Sequence, residues 1–220
     1  MIDNIRLKIC GLTRAEDAGA AAEIGADCLG FIFYPKSPRG VTLEQFKALR
    51  PGLPAGARPV AVMVEPGLTE LTGALQAGFD AIQIHFKTST PLAQLREWSE
   101  IVGPARLWLA PKLPPEAGVS ALLLPLADTF LLDTFHPEKF GGTGETGDWA
   151  KFRHHQATHP DKTWILSGGL TPENITAAIR ATGAKFIDVN SGVESAPGVK
   201  DHAKLTELGL GLQNATRQND

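Results

Sequence analysis

The sequence predicts a single-domain α/β protein, a (β/α)8 TIM barrel over residues 1–212, with a polar C-terminal tail over 213–220. Three observations predict it. Short apolar runs alternate with amphipathic stretches along the whole chain, and the alternation repeats eight times. Such alternation calls for a parallel sheet flanked by helices. The short runs are rich in Val, Ile, Leu and Phe and are bounded by Gly or Pro, as strands buried on both faces are. Finally, eight pairs in 220 residues suit a closed barrel near its lower size limit. A doubly wound open sheet would carry fewer strands and a Gly-rich first turn, whereas the first turn here is CGLTRAED with one glycine.

The elements follow in order. IRLKIC (5–10) precedes the Ala-rich helical pattern RAEDAGAAAEIG. CLGFIF (28–33) precedes LEQFKALR, and PVAVMV (59–64) precedes LTELTGALQAG. AIQIHF (81–86) leads to PLAQLREWSEIV, and RLWLAPKL (106–113) to the weaker helical segment EAGVSALLLPLA. TFLLDT (129–134) is followed by DWAKFRHHQATH, WILSGGL (164–170) by PENITAAIRATG, and KFIDVNS (185–191) by VKDHAKLTELGLGL. The helical stretches space Ala, Leu and Ile at intervals of three and four, one face of a helix.

Composition narrows the function classes. A hydrophobic fraction of 43% supports one sizeable core. A net charge of −3 and a pI of about 6.1 leave no basic footprint for nucleic acid or for an anionic membrane surface. Apolar runs are too short for a bilayer span, and the first residues lack the apolar stretch of a secretory signal. Two cysteines, Cys10 and Cys28, make no disulfide framework and no CxxC zinc pair. A soluble cytoplasmic protein is expected.

Barrel enzymes build their sites at the C-terminal ends of the strands. The residues expected there are Cys10, Arg39 in the turn YPKSPRG, Gln83 and His85, Asp133, Ser167-Gly168-Gly169, and Asp188-Val189-Asn190-Ser191-Gly192. Polar groups that end apolar runs are costly unless satisfied, so six such tips on one rim point to a site. The glycines of SGGLTPEN and NSGVES let backbone approach an anion, which makes Gly168, Gly169, Ser191 and Gly192 candidates for phosphate binding. Thr171-Pro172-Glu173-Asn174 has the pattern of a helix N-cap with Pro at the first helical position.

Cys28 starts its strand at the opposite end and is expected to be an inert buried thiol. Cys10 ends its strand and shares a face with Lys8. A lysine ammonium beneath the thiol would favour the thiolate; Lys8 could equally pair with Asp133 or Asp188. Asp133 follows Thr129-Phe130-Leu131-Leu132, and desolvation there raises a carboxyl pKa. A base lowered and an acid raised toward neutrality is how one site performs both proton transfers. His85 is either a further acid–base group or a hydrogen-bonded rim residue. His154, His155 and His159 lie on a predicted helix without a third ligand and read as a solvated face.

KICGLTRAEDA, GFIFYPKSPRGV, LLDTFHPEKFGGTGETGDW, LSGGLTPENI and IDVNSGVESAPGVKD closely resemble, in order and over nearly the whole chain, the motifs of the phosphoribosylanthranilate isomerases of tryptophan biosynthesis. The resemblance implies a (β/α)8 barrel and an Amadori rearrangement without metal or organic cofactor. It implies Cys10 as general base, Asp133 as general acid and Arg39 on the anthranilate carboxylate. It further implies Asp188 near the anthranilate nitrogen, His85 in the pocket, and the four turn residues on the phosphate. A phosphorylated small molecule is then the expected partner, and the chain a monomer or homodimer.

Two departures stand out. Phe86 replaces the Gly of a QLHG-like motif and is expected to stiffen the turn beside His85. Glu65 sits where a VFVN-like strand end has no charge, and either adds negative charge to the rim or points to solvent. The alternatives are another phosphosugar barrel enzyme and a non-catalytic paralogue that binds a phosphorylated ligand. An epimerase would want paired His and Asp metal ligands, and only His85 is so placed. A synthase of the same pathway would want Lys and Glu on the rim.

Overall fold

The computed structural model describes residues 2, 4–134 and 148–216. Most of the glycine-rich stretch after the sixth strand (135–147) and the last four positions (217–220) lie outside the described residues.

Eight parallel strands close into a barrel in sequence order: β1 (Arg6–Ile9), β2 (Cys28–Phe33), β3 (Pro59–Val64), β4 (Ala81–Lys87), β5 (Leu107–Lys112), β6 (Thr129–Leu132), β7 (Thr163–Leu166) and β8 (Phe186–Val189). Closure is made by β1 against β8, where Lys8 stands opposite Asp188. The helices are α1 (Ala15–Glu23), α2 (Leu43–Leu49), α3 (Leu68–Gln76), α4 (Leu92–Val102), α5 (Trp149–Thr158), α6 (Ile175–Thr182) and α7 (His202–Thr216). A short antiparallel hairpin, β9 (Glu194–Ala196) and β10 (Val199–Lys200), follows β8 outside the barrel.

The near-continuous apolar strands separate into two packed layers, because successive side chains point to opposite faces. Outward residues such as Leu7, Ile9, Phe31, Ile82, Ile84, Leu109, Phe130 and Val189 join the helices in one core. Cys28, Val60, Val62, Ala81, Trp108, Ala110, Leu131, Ile165 and Phe186 form a second core, with Cys10 at its edge. In that second core Trp108 meets Phe186 edge to face with centroids 5.4 Å apart, and the Arg6 guanidinium sits 4.3 Å from the Phe186 ring. The inner floor is thus filled by these aliphatic and aromatic side chains.

Four expectations need correction. EAGVSALLLPLA forms no α-helix; its regular part is one 3₁₀ turn, Leu124–Leu126, since Pro125 and Gly118 interrupt the helical pattern. Helix α6 starts at Ile175, later than expected. The Thr171-Pro172-Glu173-Asn174 stretch is a turn, in which the Asn174 side chain accepts from Thr171 N at 2.9 Å and donates to Gly169 O at 2.8 Å. Helix α7 runs on to Thr216, past the expected boundary at 212, because Ala215 is buried against the core. Finally, His155 is buried rather than solvated, stacked on Trp164 with centroids 5.1 Å apart.

Candidate active site

Every site residue expected from sequence lines one cavity of about 410 Å³ at the C-terminal ends of the strands: Cys10, Arg39, His85, Asp133, Gly168, Gly169, Asp188, Ser191 and Gly192. Strand geometry explains the convergence. Lys8, Gln83, His85 and Asp188 on β1, β4 and β8, and Cys10 just past β1, share the inward face, at levels just above the apolar floor.

Lys8 is fully buried and donates to Asp188 Oδ1 at 2.9 Å. Of its two sequence readings this is the pairing with Asp188, and the thiol still lies close by. Burial works against the Lys8 charge, but Asp188 and Cys10 outweigh it and hold the ammonium far above the usual lysine range. Room for this arrangement comes from Gly30 on β2, which sequence reasoning missed. A Cβ there would stand 2.9 Å from Lys8 Cε and 3.0 Å from Cys10 Sγ. Its only sequence signal is a glycine inside an apolar strand, which marks a close approach.

The expected lowering of the Cys10 pKa is not what the structure gives. Burial pushes the thiol up, Lys8 pulls it down, and Asp188 pushes it up again, so the resting group is a thiol. Burial accounts for most of the difference, and Asp188 adds to it by pairing with the ammonium that was expected to serve the sulfur. Asp133 follows expectation. Burial pushes its carboxyl up to about 6, against the Thr134 N–H that donates to Oδ1 at 2.8 Å. Gly168, with φ +95°, holds the neighbouring turn; a Cβ there would strike Thr134 Oγ1 and stand 3.1 Å from Asp133 Oδ1. His85 is driven down to about 3 by burial and by Lys8 and is neutral. Its Nε2 lies 2.8 Å from Gln83 Nε2, and Gln83 Oε1 is buried with no partner among the described residues.

Both departures resolve structurally. Phe86 lies within β4 and points outward, 6.1 Å from the Trp98 ring of α4, so it stiffens no turn at His85. Glu65 accepts from Lys87 N at 3.0 Å and from Thr90 Oγ1 at 2.7 Å, tying the loops after β3 and β4 together. Burial opposes its charge, but these donors hold its carboxyl below the usual range. Arg39 does not stand free: its Nε and Nη2 grip Glu194 at 2.7 to 3.1 Å.

Barrels of this class keep their chemistry at the rim where this cavity opens, and the fold and the acid–base groups mark the chain as a (β/α)8-barrel enzyme. The family model for N-(5′-phosphoribosyl)anthranilate (PRA) isomerase matches residues 7–209. The isomerase of Trichodesmium erythraeum is 38% identical, with 96% of this chain and 99% of the relative aligned. That of Pseudomonas fluorescens is 39% identical over 91% of this chain and 95% of its own. Among solved structures, the Thermus thermophilus isomerase superposes with a TM-score of 0.79 at 32% identity, covering 96% and 99% of the two chains. An isomerase in complex with reduced 1-(o-carboxyphenylamino)-1-deoxyribulose 5-phosphate superposes with a TM-score of 0.73 at 31% identity and the same coverage. The chain belongs to the phosphoribosylanthranilate isomerase family. Among the described residues, no helix is long and apolar enough to cross a membrane.

Proposed function

We propose that this chain catalyses the Amadori rearrangement of N-(5′-phosphoribosyl)anthranilate to 1-(2-carboxyphenylamino)-1-deoxyribulose 5-phosphate, with Cys10 as general base and Asp133 as general acid. The observation that carries the assignment of roles is the convergence of both groups on one cavity, one just past β1 and the other just past β6. Asp133 gives its proton to the furanose ring oxygen, the bond from that oxygen to C1′ breaks, and a Schiff base forms. Cys10 as thiolate takes the proton from C2′, and the enolamine tautomerises to the ketone. Each proton transfer contributes roughly 10²–10⁴ in rate.

A raised acid and a raised thiol set the protonation balance. The active form has Asp133 protonated and Cys10 ionised, a minority of molecules, and Lys8 steadies the thiolate while it exists. Arg39 takes the anthranilate carboxylate, Asp188 lies by the anthranilate nitrogen, and His85 lines the pocket as a neutral group. The backbone at Gly168, Gly169, Ser191 and Gly192 takes the phosphate, where amide donors suit an anion. The reading assigns the protein to the cytoplasm, where Cys10 and Cys28 stay reduced.

The test is turnover of the aminal generated in situ, with the product separated from its isomer and identified by NMR, alongside growth without tryptophan of a strain lacking this isomerase. Product and restored growth are expected. Folded protein that yields neither overturns the assignment and favours a ligand-binding paralogue.

A further inference from the structure

Glu194 opens the hairpin outside the barrel, and its carboxylate is buried at the hub of a network. It accepts from Arg39 Nε at 2.9 and 3.1 Å, from Arg39 Nη2 at 2.7 Å, from Gly198 N at 3.1 Å and from Lys200 Nζ at 3.1 Å. Lys200 Nζ also donates to Asn190 O at 3.1 Å and to Asn190 Oδ1 at 3.0 Å. The hairpin itself is pinned to the loop after β1 and to α1. Thr13 Oγ1 donates to Gly198 O at 2.6 Å, and Lys200 N to Asp17 Oδ2 at 3.0 Å. The Glu194 and Arg39 side chains are 5% and 13% exposed, so neither trades its partner for bulk water.

A guanidinium carries five donors in a rigid plane. Glu194 occupies the Nε–Nη2 edge of Arg39, which fixes that plane and leaves the Nη1–Nη2 edge as a second fork, on a residue that lines the cavity. Two cations against one carboxylate also leave net positive charge at that wall. We propose that Glu194 is a specificity-determining positioning residue, clamping Arg39 so that its open edge receives the ring carboxylate of the substrate. The inference rests on the reading that Arg39 holds that carboxylate. A flexible, unclamped Arg would meet the anion in many geometries and lose most of the two-point match.

Two ligands test it: the reduced product, and the same compound without its ring carboxylate, each titrated calorimetrically. Wild type is expected to prefer the carboxylate-bearing compound, and Arg39→Gln to lose that preference. In Glu194→Gln the preference falls about tenfold or more while affinity for the decarboxylated compound holds, and KM rises with kcat little changed. An intact preference in Arg39→Gln overturns the reading of Arg39. Preference lost in Arg39→Gln but intact in Glu194→Gln overturns the clamp alone, as does an equal loss of affinity for both compounds, the sign of a merely structural role. If Glu194→Gln does not fold, Glu194→Asp, which withdraws the carboxylate by one methylene, is read on the same ratio, and an unchanged preference there also overturns the clamp.

Discussion

Replacing Asp133 by Asn is expected to make the protein more stable and less active, with the stability gain growing between pH 3.8 and about 6 and holding above that. Burial moves the carboxyl from 3.8 to about 6. Each tenfold step in proton affinity is worth about 1.4 kcal/mol. That displacement spans a little over two steps, so the ionised side chain costs the fold roughly 3 kcal/mol. Asp133 is only partly buried and faces the cavity, and solvent screening trims this to about 2 kcal/mol. The sign follows from proton binding: between 3.8 and about 6 the folded state holds a proton that the unfolded state has lost. The penalty is therefore absent in acid, grows as pH rises through this window, and is complete above it. Asn removes the charge and keeps the oxygen that accepts from Thr134 N at 2.8 Å. Urea denaturation of both proteins should give a gain of about 2 kcal/mol for the variant near pH 8, shrinking to a few tenths of a kcal/mol near pH 4. Over the same series kcat should fall roughly 10²–10⁴-fold. A gain that does not vary with pH, or a wild type that is the more stable at alkaline pH, refutes the raised carboxyl and with it the general acid.

Cys10→Ser should lower kcat about 10²-fold or more with an unchanged melting temperature, and a variant that keeps most of its turnover removes the sulfur from the mechanism. Gly168→Ala must adopt φ +95° and displace Thr134 beside Asp133. It should cost about 1–3 kcal/mol and raise KM, as read by thermal melts and steady-state kinetics; wild-type values for both would show that the turn is not strained. The His85 imidazole, held at about 3, should give no ring-nitrogen NMR titration around 6.5, and a midpoint there would show that burial and the Lys8 charge do not hold it down.

The barrel was legible because its signal is local. Each strand is a short apolar run between glycines or prolines, and each helix but one repeats at three and four residues. The exception, EAGVSALLLPLA, is apolar without period, and Pro125 turns it into a 3₁₀ fragment. The candidate site was legible for a related reason: a polar residue that ends an apolar strand must face something, and at the C-terminal rim it faces the cavity. What sequence could not supply were relations between distant positions. Nothing near Cys10 tells how deeply the thiol is buried, or that Asp188 takes the Lys8 ammonium, so the thiol was expected lower than it lies. Nothing near Arg39 points to Glu194, which lies 155 residues away. Phe86 was misjudged because a motif compares letters, whereas strand alternation sends that ring outward to Trp98.

The ties that join β8 and the hairpin to the first strand and helix carry a consequence for the growing chain on the ribosome. Asp17 meets the Lys200 backbone across 183 residues, and Lys8 meets Asp188 across 180. Lys8, on the first strand, must therefore wait for its carboxylate until β8 has emerged. A fragment that stops before β8 leaves the ring without its seam and Lys8 without its carboxylate, so it has no way to begin turning over substrate.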